Sequence, residues 1–241
     1  MRLVICLPTY NERANLEPIV RRLGEVLADV DAEPRVLVID DSSPDGTGEL
    51  ADRLSSELPS VSVLHRTRKE GLGPAYIAGF RWALDHGADR IVQMDADFSH
   101  DPADVPRLLG AAESAGLSLG SRYVEGGGTE NWGKGRQAIS RFGSFYARTI
   151  LGVPVHDLTG GFKCWRREAL EAAPLDRIRT KGYAFQIETT YRALRGGVGV
   201  VEIPIVFAER RSGGSKMTRG IVFEAMRKVP ELRLRAALNR L

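Results

Sequence analysis

The chain has 241 residues, of which 43% are hydrophobic and 27% are charged, a globular composition with room for one large core or two small ones. No apolar run is long enough to span a bilayer, and the N-terminal residues do not follow the pattern of a secretory signal peptide. The net charge of +3 suits phosphate-bearing ligands or an anionic membrane face, whereas the lack of a long basic stripe argues against nucleic acid as a partner. Both cysteines, Cys6 and Cys164, fall in predicted buried strands, which favours a reducing, cytoplasmic location.

Up to residue 120, short apolar runs alternate with helical patterns, which is typical of a parallel sheet with helices on both faces. Asn11 or Asn15 is expected to cap the first helix, and a glycine-rich loop over residues 69–74 opens the third. Strands are predicted at residues 3–7, 35–39, 61–65, 90–94 and 117–120, and the helices between and after them are predicted to end near residues 27, 56, 86 and 114. The predicted fold class is α/β, with a Rossmann-like, mostly parallel sheet.

Three of these strands end in polar clusters: residues 8–12, the pair Asp40 and Asp41, and the pair Asp95 and Asp97. Such strand ends share one edge of a parallel sheet, where open α/β sheets bind ligands. Two carboxylates on the same side of an extended chain suit Mg²⁺ or Mn²⁺, with substrate phosphates as further ligands. The pattern predicts a nucleotide whose base lies near Asp40 and Asp41 and whose phosphates lie near Asp95 and Asp97. For the aspartate triplet alone, a solvated acidic turn is the alternative.

The second half of the chain is less regular. Residues 123–136 are glycine-rich and are predicted to form a mobile loop, in which Trp132 packs under the loop or touches substrate. A helix over residues 136–151 follows, and its apolar side is expected to pack in the core for most of its length, with a position in a membrane interface as the alternative. Two further strands are predicted at residues 160–165 and 198–207, and Pro204 favours an edge position for the second. Two further helices are predicted at residues 168–173 and 184–195. A basic amphipathic helix is predicted at residues 221–241, and Pro230 is expected to kink it or divide it in two.

The polar motifs together carry a family resemblance. In chain order they are Pro8-Thr9-Tyr10-Asn11-Glu12, Asp40-Asp41-Ser42-Ser43-Pro44-Asp45-Gly46-Thr47, Met94-Asp95-Ala96-Asp97, Gly120-Ser121-Arg122-Tyr123, Glu130-Asn131-Trp132, Gly161-Phe162 and Gly214-Ser215-Lys216. From residue 3 to about residue 218 the chain resembles family-2 glycosyltransferases of the GT-A fold, and more narrowly the dolichyl- or polyprenyl-phosphate mannose synthases. The resemblance implies a catalytic domain over residues 1–218, with a nucleotide-sugar half at 1–122 and an acceptor half at 123–218, and a basic helical segment at 219–241.

The activity that the resemblance implies is transfer of mannose from GDP-mannose to a polyprenyl monophosphate, with inversion and with Mg²⁺ or Mn²⁺. By the same resemblance, Asp95 and Asp97 are the metal ligands, with Ala96 between them against the substrate, and Arg122 positions substrate. The nucleoside pocket is matched by Pro8, Tyr10, Glu12, Ile39 and Asp41, the acceptor-phosphate site by Arg136 and Ser140, and the basic loop over the donor by Arg210 and Lys216.

This sequence departs from the family pattern at two places. Ser99 stands where members often have a glutamine that also binds metal, so its part in the coordination shell stays open. Members often carry membrane-spanning helices after the catalytic domain, and none is predicted here up to Leu241. Contact with the cytoplasmic face of a membrane is therefore expected from surface helices or from a separate membrane-anchoring protein.

The chemistry predicted for these groups needs no obvious general base, because a phosphate monoester is mostly dianionic at neutral pH. Asp157 is held in reserve as a base, with a structural carboxylate as the equally good interpretation, and the four histidines are interpreted as structural.

Other functions remain open at this stage. The nearest alternative is a family-2 glycosyltransferase with a UDP-sugar donor or with a different lipid or alcohol acceptor. A sugar-phosphate nucleotidyltransferase is disfavoured because residues 8–12 contain no glycine or lysine. A non-enzymatic anion-binding module would leave the convergent carboxylates unexplained.

Overall fold

The computed structural model describes residues 1–178, 180, 182, 184–209 and 219–238, without the side chains of residues 219–225. Its centre is a seven-stranded sheet in the order β3-β2-β1-β4-β7-β5-β8, and β6 and β9 form a separate two-stranded sheet. The strands are β1 Arg2–Thr9, β2 Glu33–Asp40, β3 Val61–His65, β4 Arg90–Gln93, β5 Leu117–Ser121, β6 Gly128–Thr129, β7 Lys163–Arg166, β8 Val200–Pro204 and β9 Val206–Phe207.

The large sheet is mostly parallel, as predicted. β7 is the exception, because it lies antiparallel between β4 and β5. The parallel pairs are β1 with β2 and with β4, β2 with β3, and β5 with β8. The carboxyl ends of β1, β2 and β4 therefore emerge at the same edge, which confirms the predicted convergence of the three polar clusters.

Helices cover both faces of the sheet. Alternation along β1 sends Leu3 and Ile5 into one core with α1, α2 and α4, while Val4 and Cys6 enter the opposite core with α3, α6 and α7. The helices are α1 Arg13–Leu27, α2 Thr47–Glu57, α3 Leu72–Asp85, α4 Val105–Ala111, α5 Lys134–Leu151, α6 Arg167–Ala172, α7 Ala184–Arg195 and α8 Arg219–Ala237. Short 3₁₀ turns at Pro102–Asp104 and Leu175–Arg177 complete the described elements.

Most predicted elements are present, and the structure differs from the predictions at the start of α1, in residues 123–136 and, in part, in α8. The N-cap of α1 is Glu12, which makes no side-chain capping bond, and Asn11 has a left-handed φ of 59° while Asn15 is buried inside the helix. Residues 123–136 are not one loop, because β6 pairs with β9, whereas Trp132 is buried, which agrees with the prediction that it packs under the loop. α8 continues as one helix through Pro230, so the division into two pieces is not seen.

The interpretation of the apolar side of α5 as core is also wrong. Its buried positions are the small or aliphatic Ser140, Ser144, Ala147 and Leu151, of which Ala147 and Leu151 share a core with α8. The large apolar side chains point to solvent: Ile139 is 51% exposed, Phe142 58%, Phe145 62% and Ile150 37%. No helix in the described part of the chain is long and apolar enough to cross a membrane.

Candidate active site

Two adjoining cavities lie at the carboxyl edge of the sheet. The first cavity is lined by Pro8, Thr9, Tyr10, Glu12, Asp41, Lys69, Gly71, Leu72, Ala75, Asp95, Ala96 and Asp97. The second cavity is lined by Leu72, Asp95, Ser99, His100, Arg122, Trp132, Arg136, Thr159, Gly161, Gln186 and Phe207. Leu72 and Asp95 belong to both linings, so the two cavities meet at these two residues.

The loops that leave β1, β2 and β4 each turn through a residue with positive φ. These residues are Asn11 at 59°, Ser42 at 57° and Phe98 at 62°, and a fourth, Asn131 at 60°, precedes Trp132. Left-handed conformations are uncommon outside glycine and concentrate at functional sites, where the surrounding structure holds them. In the described part of the chain, each of the four residues other than glycine with positive φ is next in sequence to a residue that lines one of the two cavities.

The aspartate pair lies just beyond β4 rather than within it, because the strand ends at Gln93. Asp95 Oδ1 accepts a hydrogen bond from the Tyr76 hydroxyl at 3.2 Å, and the Asp95 backbone N–H donates to His100 Nδ1 at 3.2 Å. Asp97 Oδ1 accepts from the Ser99 backbone N–H at 3.1 Å and from the Ser99 hydroxyl at 2.6 Å. Tyr76 on α3 therefore orients the Asp95 carboxylate, and Ser99 orients the Asp97 carboxylate.

Neutral groups surround this pair. Burial, followed by the neighbouring Asp95 carboxylate, raises the pKa of Tyr76 well above its usual value, so its hydroxyl stays a donor. Burial lowers the pKa of His100, which favours the neutral ring that accepts from the Asp95 amide. The structural role predicted for this histidine fits its contact, although it also lines the second cavity.

The donor set fits a hard divalent cation. Two carboxylates facing one cavity supply the oxygen ligands that Mg²⁺ and Mn²⁺ prefer, and such ions keep further positions for water and substrate phosphate. In the described residues no group of three or more His, Cys, Asp or Glu side chains is arranged to hold a metal. An ion held by Asp95 and Asp97 would therefore take its remaining ligands from water and substrate phosphate.

The far wall of the first cavity comes from β1, β2 and the loop before α3. Asp41 forms an ion pair with Arg66, and burial raises the pKa of Asp41 despite that partner. Lys69 lies over the ring of Tyr10, with Nζ 3.6 Å from the centroid. Of the predicted nucleoside residues, Pro8, Tyr10, Glu12 and Asp41 line the cavity, whereas Ile39 is fully buried behind it.

The second cavity holds the predicted arginines. Arg122 donates two side-chain hydrogen bonds to the Asp157 carboxylate, from Nε and from Nη2, and its Nη2 also donates to the Thr159 hydroxyl at 2.8 Å. The guanidinium of Arg136 lies 3.9 Å from the ring centroid of Trp132 and pairs with Glu209 at 3.1 Å. Ser140 is buried outside the lining, and its hydroxyl accepts from Tyr123 at 2.6 Å.

Asp157 is a positioning group. Its burial acts to raise its pKa, but the Arg122 charge and hydrogen bonds from Arg122 and Thr159 outweigh burial and hold the pKa below its usual value. A carboxylate held in its ionised form by a bonded arginine is poorly suited to remove a proton. Arg210 and Lys216, predicted for the basic loop, lie outside the described residues.

Sequence reasoning missed the lining residues Lys69, Thr159 and Gln186, and it missed Tyr76, which lies outside both linings and donates to Asp95. Only Lys69 carried a usable signal, since it precedes the glycine-rich start of a helix, a common setting for anion binding. The other three come from α3, from the turn after Asp157 and from α7, and their approach depends on tertiary packing.

Comparison with known proteins agrees with this geometry. Residues 4–173 match the family described as glycosyl transferase family 2. The chain is 50% identical to an undecaprenyl-phosphate mannosyltransferase of Micrococcus luteus over 94% of this chain and 91% of the relative. It is 48% identical to a polyprenol monophosphomannose synthase of Mycolicibacterium smegmatis over 99% of this chain and 89% of the relative.

A solved structure supports the fold assignment. Glucosyl-3-phosphoglycerate synthase of Mycobacterium tuberculosis, crystallised with Mn²⁺, UDP-glucose and phosphoglyceric acid, superposes with a TM-score of 0.63 at 20% identity. The match covers 97% of this chain and 78% of that one, which confirms the GT-A type α/β fold. On the family match and the two relatives, the chain belongs to glycosyl transferase family 2, and within that family it resembles the polyprenyl-phosphate mannosyltransferases.

Proposed function

We propose that the chain transfers mannose from GDP-mannose to a polyprenyl monophosphate, with inversion at the anomeric carbon and with Mg²⁺ or Mn²⁺. The mannosyl group and the polyprenyl-phosphate acceptor rest on the two relatives, whose names state both. The observation that carries the proposal is that Asp95 lines both cavities. A sugar held at Asp95 would have its nucleotide in the first cavity and its acceptor in the second, on opposite sides of the bond that changes.

The first cavity suits the nucleotide. Residues 1–122 supply its lining, in keeping with a nucleotide-sugar half, and residues 123–218 supply most of the acceptor side. The Tyr10 ring offers a flat apolar surface, and Asp41 and Glu12 offer carboxylate oxygens to the donor groups of a base or ribose. Lys69 adds a positive charge on the same wall. Arg210 and Lys216 stay proposed as charges on the diphosphate.

Asp95 and Asp97 are the residues proposed to hold the metal, since both carboxylates line the first cavity. When bound, a divalent ion there would offset the charge that develops on the nucleoside diphosphate leaving group. Ser99 donates its hydroxyl to Asp97 and so orients a ligand in this structure. Its role is proposed as support of Asp97, in place of the glutamine of other members.

The second cavity suits a phosphate monoester. Arg136 and Arg122 place two permanent positive charges on its wall, and arginine binds phosphate oxygens well. The acceptor is already nucleophilic, since its second pKa is about 6 and it is mostly dianionic at pH 7. Asp157 therefore acts on Arg122 rather than on a proton of the acceptor. Ser140 is proposed to act through Tyr123, whose ring centroid lies 5.1 Å from the guanidinium carbon of Arg122.

The proposed polyprenyl-phosphate acceptor is insoluble in water, so the protein has to reach it at a membrane surface. The exposed stripe of α5, defined by Ile139, Phe142, Phe145 and Ile150, is an apolar surface close to Arg141 and Arg148 on the same helix. Apolar side chains bordered by arginines are typical of helices that lie in the membrane interface. We propose that this stripe rests on the cytoplasmic face of a membrane, with or without a separate anchoring protein. Arg227 and Arg233 on α8 are exposed and would add positive charge.

The test is a panel of donors and acceptors. GDP-mannose, GDP-glucose, UDP-glucose and UDP-galactose would each be offered with a short-chain polyprenyl phosphate and with the matching free polyprenol. The proposal expects label in lipid only from GDP-mannose with the phosphate. Efficient use of a UDP-sugar, or of the free alcohol, would instead favour the alternative family-2 transferase with another donor or acceptor.

A further inference from the structure

Gln186 is the polar residue of the second cavity that the mechanism above does not use. It lies on α7, is 1% exposed, and lines the cavity together with Asp95 and Gly161. Its side-chain oxygen Oε1 accepts from Lys163 Nζ at 2.8 Å and from Gln93 Nε2 at 2.6 Å. Both hydrogen-bond positions of that carbonyl oxygen are therefore occupied.

The orientation of this amide is fixed by a chain of hydrogen bonds. The Trp165 indole N–H can only donate, and it donates to Gln93 Oε1 at 3.4 Å. Gln93 must therefore present its NH₂ to Gln186, and Gln186 must present its oxygen to Gln93. Lys163 Nζ strengthens the arrangement, since it also donates to the Gln186 backbone carbonyl at 3.0 Å. A flipped amide would place donors against donors.

The other end of the amide, Nε2, faces the cavity without a hydrogen-bond acceptor from the described part of the chain. Gly161 keeps it open, because a Cβ at that position would lie 3.2 Å from Nε2. An amide donor that opens into a cavity is satisfied there by water or by an acceptor oxygen of a ligand. Nε2 is therefore a donor of fixed direction that an acceptor oxygen entering the second cavity can use.

We propose that Gln186 Nε2 donates a hydrogen bond to one hydroxyl oxygen of the transferred sugar and so helps to select that sugar. The inference rests on the proposed function. Nε2 and the Asp95 carboxylate line the same cavity, and together they offer one fixed donor and one acceptor, which is the pairing that sugar hydroxyls satisfy. A phosphate would find stronger partners in the arginines of the same cavity.

The experiment compares GDP-mannose with its 2-, 3-, 4- and 6-deoxy analogues as donors for the wild type and for Gln186→Met. In the wild type one analogue should lose about tenfold in kcat/KM, the usual effect of one hydrogen bond to a fixed donor. Gln186→Met should use GDP-mannose about tenfold less well and should no longer distinguish it from that analogue. GDP affinity should not change, because the first cavity is untouched.

Two further variants keep the test decisive. Gly161→Ala retains the Lys163 and Gln93 bonds but covers Nε2, so it should reproduce the lost discrimination even if Gln186→Met folds poorly. Arg195→Met also replaces a polar side chain of α7 with methionine, at an exposed position that lines neither cavity, and it should keep the wild-type pattern.

The outcomes separate the two proposals. A wild type that cannot use GDP-mannose contradicts the proposed function. A wild type that uses it, with variants that keep its full preference among the analogues, overturns the role of Gln186. An increase in the KM of the acceptor with the donor preference intact would also overturn it, because it would assign Nε2 to the acceptor phosphate.

Discussion

Arg122 and Asp157 form a two-point ion pair, in which Nε donates to Oδ2 and Nη2 donates to Oδ1, each at 2.7 Å. Their side chains are 7% and 0% exposed. Because removal of one member leaves a buried charge without its partner, Asp157→Asn should lower the free energy of unfolding by about 3 kcal/mol at pH 7. Urea denaturation of the two proteins measures this difference.

The pH dependence of that difference follows from the lowered pKa of Asp157. A carboxyl whose pKa is lower in the folded state stabilises the fold fully above its unfolded pKa of about 4, and the contribution disappears as the pH falls through the folded value. The difference in the free energy of unfolding between wild type and Asp157→Asn should therefore have its full value at pH 7 and should become smaller below about pH 4. A gap that stays constant down to pH 2 would contradict the ion-pair account.

Tyr76 is expected to tune the proposed metal site. Tyr76→Phe removes the donor to Asp95 Oδ1 but keeps the ring that stacks on Phe185 with centroids 5.9 Å apart. The affinity for Mn²⁺ in the presence of GDP should fall about tenfold, the lower end of the usual effect of a group that orients a ligand. Calorimetric titration with Mn²⁺ measures it.

Tyr191→Phe is the matched control for Tyr76→Phe. The Tyr191 hydroxyl is buried and has no hydrogen-bond partner among the described residues, so its removal should leave Mn²⁺ binding unchanged. Equal effects of the two substitutions would mean that Tyr76 acts only through general stability, and the role in orienting Asp95 would be lost.

Arg136 is expected to act on the acceptor and not on the donor. Arg136→Met should raise the KM for polyprenyl phosphate about tenfold to a hundredfold, the range for a hydrogen bond to a charged group, with GDP affinity unchanged. Steady-state transfer kinetics separate the two constants. Arg22→Met on α1, an exposed arginine paired with Glu25, should change neither, and a loss confined to GDP affinity would place Arg136 on the donor side instead.

The exposed stripe of α5 is expected to bind lipid surfaces. Phe142→Asp replaces a 58% exposed aromatic ring with a charge, and it should weaken binding to vesicles of phosphatidylglycerol and phosphatidylcholine about tenfold or more. Vesicle co-sedimentation measures this, with GDP affinity as a check on folding. Ser56→Asp adds the same charge on α2 and should bind vesicles nearly as well as wild type. Vesicle binding that survives Phe142→Asp combined with Phe145→Asp would rule out the stripe.

Much of the first cavity was predictable because each of its parts is contiguous in sequence with a strand end. Pro8, Tyr10, Asp41, Asp95 and Asp97 follow buried strands directly, and the alternation of strands and helices fixes those strands as parallel neighbours. The fold class followed from the same pattern.

The other features of the site and of α5 depend on tertiary contacts, which the local sequence does not show. Gln186 comes from α7 and accepts a hydrogen bond directly from Gln93 at the end of β4, a contact between residues 93 positions apart. The apolar positions of α5 have the same helical spacing whether they face a core or a membrane, and only the burial of Ser140, Ser144 and Ala147 on the opposite side decides between them. Asparagine is a common capping residue, but Asn11 has a positive φ of 59° and belongs to the turn between β1 and α1 instead.

The central claim is metal-dependent mannosyl transfer at Asp95 and Asp97, and one assay tests it most directly. Radiolabelled GDP-mannose and short-chain polyprenyl phosphate would be incubated with wild type and Asp97→Asn, each with Mn²⁺ and with EDTA. Asp97→Asn keeps an oxygen for the Ser99 donors but loses the charge. The account predicts label in the lipid extract only for wild type with metal, with at least about a hundredfold loss in the variant. Equal transfer in EDTA, or by Asp97→Asn, would contradict it.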